Sequence, residues 1–153
     1  MRAETHRGQA LVEFSLALIP FLLILMGIVD LGRGIYMSNG VSQAAREIAR
    51  VTAVHTCSVS PCTVAQNLGS SSEAVATIGT QAGLIPGMAG ASAVTFACTT
   101  VNDTVVPGPG CNSSDLEPHY IRVTVTANYA ALTPILSMVA PKTLTSTAHI
   151  QVP

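Results

Sequence analysis

From Phe14 to Val29 the chain reads FSLALIPFLLILMGIV, sixteen residues without a charged side chain, bounded by Glu13 on one side and Asp30 on the other. As a helix this run rises about 24 Å, and adding Gln9 to Val12 brings it to the roughly 30 Å of a bilayer's hydrocarbon core. A chain of 153 residues has room for one modest domain, whose core could not hide a stretch this apolar. The pattern therefore predicts a transmembrane helix over residues 9–31. Pro20 and Gly27 would weaken a soluble helix but are tolerated in a membrane, with a gentle bend expected near Pro20. A cleaved secretory signal fits poorly, because no Ala-x-Ala-like site follows and the helical pattern continues straight through.

Beyond Asp30 the periodicity becomes amphipathic. Ile35, Val41, Ala45, Ile48, Ala49 and Thr52 share one stripe, opposite Arg46, Glu47 and Arg50, so the helix is expected to run on over residues 32–55. Gly32, Gly34 and Gly40 predict a kink or a melted turn between Gly32 and Gly40. A Ser-, Cys-, Pro- and Gly-rich loop covers residues 56–72. Ser70 with Glu73 then makes a capping box that opens a short helix to about Ala82, ended by Gly83 to Gly90. Three β-branched runs follow: Ala93 to Val101, Tyr120 to Tyr129 and Leu144 to Val152, the last two alternating clearly. A wide connection from Asn102 to Pro118 joins the first two. The expected fold class is α+β: a long N-terminal helix, transmembrane and then amphipathic, packed on a small antiparallel β-sheet, with residues 56–153 as the domain outside the membrane.

Composition narrows the chemistry. Charged residues are 10% of the chain, aromatics 4%, and mean hydropathy is +0.48, which favours membrane attachment. A net charge of −1 gives no basic surplus for phosphate backbones, so nucleic-acid binding is set aside. There is no G-x-S-x-G, no H-E-x-x-H and no phosphate-cradling glycine loop, and His55, His119 and His149 fall in different predicted elements. We expect no enzyme, no small-molecule substrate and no cofactor. Asn102, Asp103, Asn112, Asp115 and Glu117 are oxygen ligands of the kind calcium takes, but without the D-x-D-x-D-G pattern they read better as solvated turn residues.

Cys57, Cys62, Cys98 and Cys111 all follow the apolar run, an even count that suits an oxidising compartment. Three pairings exist, of which Cys57–Cys62 with Cys98–Cys111 closes the local loops. A zinc site is the weaker reading at these spacings, and unpaired buried cysteines are the plain alternative. Asp30 and Arg33, one turn apart at the edge of the apolar run, are placed to form an i,i+3 pair at the membrane surface.

The most informative stretch is Arg7-Gly8-Gln9-Ala10-Leu11-Val12-Glu13-Phe14, because a glutamate at the threshold of an apolar helix is costly without a partner. This resembles the class III signal-peptide pattern of type IV pilins and pseudopilins, in which a prepilin peptidase cuts after a glycine and a glutamate stands five residues beyond the cut. Gly8 and Glu13 match. Phe14, Pro20, the stretch Gly27-Ile-Val-Asp-Leu-Gly-Arg, the later Asn39-Gly-Val-Ser-Gln-Ala-Ala-Arg-Glu-Ile-Ala-Arg, and the segment Tyr120 to Leu136 are similar to the TadE-like family of the tight-adherence pilus machinery. The resemblance implies a pilin-like fold and a minor pseudopilin, with residues 1–8 as a leader. Cutting after Gly8 would create an amino group on Gln9 about 6 Å of helical rise from Glu13, and the same group on a neighbouring subunit could pair with that carboxylate. Implied partners are the prepilin peptidase, other pilins or pseudopilins, the pilus assembly platform and the membrane. The implied location is the inner membrane, single-pass, N-terminus cytoplasmic and C-terminal domain periplasmic, with entry into a surface pilus left open. The rival is an unprocessed, membrane-anchored periplasmic binding or adhesion module.

Overall fold

The computed structural model describes residues 6–55, 68–105, 120–133, 137–138 and 142–151. The chain forms two compact units: Met1–Ile35 with Ala130–Ala140, and Tyr36–Tyr129 with Pro141–Pro153. One element supplies residues to both, helix α1 (His6–Val54), which is α-helical throughout its 49 residues.

The melted turn expected between Gly32 and Gly40 does not occur. Glycine costs about 1 kcal/mol in a helix interior relative to alanine, a penalty that packing of the stripe beyond it can outweigh. Gly40 faces Ile85 of the second unit, with a Cβ there falling 3.4 Å from its Cγ1, at van der Waals contact. Pro20 lies inside the helix and leaves the Leu16 carbonyl without its usual donor four residues on.

In the second unit α1 turns one stripe to the core. Val41, Ala44, Ala45, Ile48, Ala49, Thr52 and Ala53 are buried, while Arg46, Glu47 and Arg50 are exposed. The expected stripe is thus present except for Ile35, which is 62% exposed and belongs to the first unit. Thr52 brings its hydroxyl into this core without a hydrogen-bond partner among the described residues. Replacing Ile48 by alanine should destabilise the second unit by about 2–5 kcal/mol, the transfer loss of a fully buried side chain plus the cavity left behind. Ile35→Ala should change stability by under about 0.5 kcal/mol, and thermal melts of the two full-length variants would tell them apart.

The stripe packs on an antiparallel sheet of β1 (Val94–Thr99), β2 (Tyr120–Asn128) and β3 (Thr143–Gln151), in spatial order β1-β2-β3. Strand β2 is central and shows the alternation most strongly. Ile121, Val123, Val125 and Ala127 are buried against the helix, and the intervening residues are half-buried or exposed. Register is set by pairs such as Val94↔Val125, Cys98↔Ile121 and Ile121↔Ile150, which keep one apolar face continuous across all three strands. On the other face the Thr124 and Thr147 hydroxyls meet at 3.3 Å.

Helix α2 (Ser72–Leu84) opens one residue later than a Ser70 cap would place it. The cap is Ser71, whose hydroxyl accepts from the Ala74 N–H at 3.2 Å. Glu73 therefore falls in the first turn, where its own backbone N–H and then the Ser72 hydroxyl hold its carboxyl below the ordinary glutamate value. A 3₁₀ turn (Gly90–Ala93) leads into β1. Before it, Gly87 takes a positive φ of 82° and its carbonyl accepts from the Asn128 N–H at 2.9 Å, joining the turn to the end of β2.

Candidate membrane-anchor and assembly site

The first half of α1 presents apolar side chains on every side. Leu11, Leu16, Ile19, Ile24, Ile28 and Leu31 are each at least 59% exposed, and the most apolar window of the helix is not buried at all within the chain. A helix apolar all round and uncovered by its own protein needs lipid or other helices about it. Gly8, Gln9, Glu13 and Phe14 all lie on this helix and are exposed, so Gln9 and Glu13 stand one turn apart along it. Ser15, in the next turn, folds its hydroxyl back to the carbonyls of Leu11 and Val12, both at 2.9 Å, which hides its polarity from an apolar surround.

At the other end of the uncharged run Asp30 is completely buried. Its carboxylate accepts the Leu132 N–H at 3.0 and 3.1 Å, the Thr133 N–H at 2.8 Å and the Thr133 hydroxyl at 2.6 Å. Arg33 donates from Nη1 to the Ala130 carbonyl at 3.0 Å. Asp30 and Arg33, one turn apart on α1, thus both also reach the segment that follows β2. The Thr133 carbonyl in turn accepts from the Ser137 N–H at 3.0 Å. This docking of residues 130–133 on α1 was not anticipated. The one available sign was Asp30 itself, an acid at the end of an apolar run with a single nearby cation to compensate it.

Of the cysteines, Cys98 is buried on β1 and is not a free thiol. Cys57, Cys62 and Cys111 lie outside the described residues, as do His119, Asn112, Asp115 and Glu117. Asp103, at φ 59°, pairs with Arg122 at 3.1 Å and has His149 Nδ1 at 3.6 Å, so its carboxylate is engaged by sheet side chains. Among the described residues no three His, Cys, Asp or Glu side chains gather to hold a metal. A groove of about 370 Å³ between α1 and α2, walled by Tyr36, Gln43, Leu84 and Pro86 among others, has no charged or thiol side chain in its lining.

Among the described residues one helix is long and apolar enough to cross a membrane, bare through its first half and packed against an antiparallel sheet through its second, an α+β arrangement consistent with a membrane-attached protein. Residues 8–50 match the family model described as TadE-like protein, which bears out over that segment the resemblance read from the residues themselves. TadE-like proteins are associated with the tight-adherence pilus system and are pilus components not known as enzymes. No curated protein and no solved structure matches the chain.

Proposed function

We propose that the chain is a minor pseudopilin of the tight-adherence pilus system, processed after Gly8 and acting through helix–helix assembly. The observation that carries this reading is the placement of Gly8 and Glu13 at the threshold of an apolar helix that its own protein leaves uncovered, within the segment that matches the TadE-like family. In the uncut chain Gly8 and Gln9 are part of the helix, so the peptidase would meet the scissile bond in helical form and would have to unwind the first turn. After the cut, Gln9 would carry a new ammonium group. Glu13 of a neighbouring subunit would pair with it, and the pair would gain strength as water is excluded between packed helices. Processing would thereby set the axial register of one subunit against the next. In this reading the N-terminus is cytoplasmic, the α+β domain periplasmic, and Cys98–Cys111 staples the connection between β1 and β2.

The test is the mass of the mature amino terminus, taken from membranes of cells with and without their prepilin peptidase. A terminus at Gln9 that reverts to Met1 without the peptidase, or on substitution of Gly8, is the expected result. A Met1 terminus in both cells would leave an unprocessed membrane anchor carrying a periplasmic domain. Glu13→Ala should still insert and be cut, yet reduce copies recovered with pilus components by on the order of a hundredfold, the effect of one uncompensated charge left in a dry interface.

A further inference from the structure

We infer that residues 130–133, with Ser137 and Met138 tied to them through the Thr133 carbonyl, are a second point of contact with the lipid surface, seated in the headgroup boundary beside the Asp30 end of α1. Such a seat exists only if α1 is a membrane anchor, as proposed above. Its depth follows from the hydrogen bonds. Asp30 is the first residue after the uncharged run Phe14 to Val29, and each helical residue rises about 1.5 Å, so its carboxylate stands at the edge of the hydrocarbon core. Leu132 and Thr133 are bonded directly to that carboxylate at 2.6–3.1 Å. The headgroup layer is roughly 5–8 Å thick on each face, so residues pinned this closely to the edge cannot clear it.

The sequence of the segment suits that depth. From Tyr129 to Pro141 (YAALTPILSMVAP) there is no charged residue, in contrast to Arg122 before it and Lys142 directly after. Leu132 is 67% exposed and Met138 88% exposed, two large apolar side chains that the protein does not cover. Four backbone groups here find partners within the protein: the Leu132 and Thr133 N–H groups at Asp30, the Ala130 carbonyl at Arg33, and the Thr133 carbonyl at the Ser137 N–H. A segment that brings its own hydrogen-bond partners can enter the boundary without exposing bare amides to it. Arg33, held beside it, places a guanidinium at the level of lipid phosphates. The occupant is therefore lipid, reached by continuity with the anchor.

The chain contains no tryptophan, which makes single insertions clean reporters. Leu132→Trp, Met138→Trp and, as the anchor control, Ile24→Trp would be made in the full-length protein and reconstituted in phosphatidylcholine–phosphatidylglycerol vesicles. Emission would be read with lipids brominated near the headgroup, with lipids brominated deep in the chains, and with aqueous iodide. The expected result is strong quenching of Ile24→Trp by deep bromine, and of Leu132→Trp and Met138→Trp by shallow bromine with little iodide access. Ile24→Trp quenched while the other two respond only to iodide would overturn the lipid seat and leave the anchor intact. The two sites insensitive to both quenchers would also overturn it, giving the surface to a protein partner such as a second copy. An Ile24→Trp indifferent to bromine would remove the anchor and the seat together.

Discussion

Replacing Asp30 by alanine is expected to release residues 130–133 from α1, raising amide hydrogen exchange at Leu132 and Thr133 by on the order of a hundredfold. The carboxylate accepts two backbone N–H groups and one hydroxyl in a place with no exposure, so alanine would strand three donors at once. An asparagine in its place would keep one acceptor oxygen but lose the charge and turn an N–H₂ toward donors. Asp30→Asn should therefore exchange at an intermediate rate, and Thr133→Val, which removes only the hydroxyl, should cost about 1.5–3 kcal/mol of local stability. Exchange measured on the full chain in nanodiscs distinguishes the three. Unchanged protection in Asp30→Ala would mean that something other than the carboxylate holds the segment. The consequence would reach function, since in the reading above this contact sets where the segment meets the membrane.

Gly87→Ala should be severely destabilising, whereas Gly79→Ala should stabilise by about 0.5–1 kcal/mol. The chemistry is identical and the sign differs because of position. A Cβ on Gly87 would fall on the backbone carbonyl of Asn128, and the residue's φ of 82° is a conformation that L side chains rarely adopt. Strain at such a φ is of order 1–3 kcal/mol, and neither the Asn128 carbonyl nor the hydrogen bond its N–H makes to Gly87 can move without unpairing the end of β2. A total near 3–5 kcal/mol is expected, at the top of the usual range for point substitutions. Gly79 is in the interior of α2 with open space around it, so alanine there only removes backbone freedom from the unfolded chain. Thermal melts of the full-length variants in detergent would show both, and a tolerated Gly87→Ala would mean that the turn can rebuild away from β2.

Where the chain's periodicity is strong, local pattern and final structure coincide. Phe14 to Val29 leaves no polar face to hide, and β2 alternates because its two faces meet a packed helix and a wetter surface. The α2 cap shows the limit of reading by spacing. Ser70, Ser71 and Ser72 are adjacent candidates, and the Ser71 hydroxyl takes the role because it is the one that accepts from Ala74 N–H. The glycines between 32 and 40 are a different kind of miss. Propensity weighs a residue alone, but whether a glycine breaks a helix depends on what packs around it, and at Gly40 that is Ile85, the residue that ends α2.

The order of elements, the uncharged span, the buried stripe of α1 and the Gly8–Glu13 spacing were all legible along the chain, because each is a relation among residues a few positions apart. Tertiary structure alone decided how Asp30 is satisfied. Its donors at Leu132 and Thr133 are 102 and 103 residues away, beyond any periodicity, and a backbone N–H carries no residue-specific signature that could announce it. The same holds for Gly87 and Asn128. A close approach of two backbones is a property of how strand and turn come together in space, and side-chain pattern does not encode it.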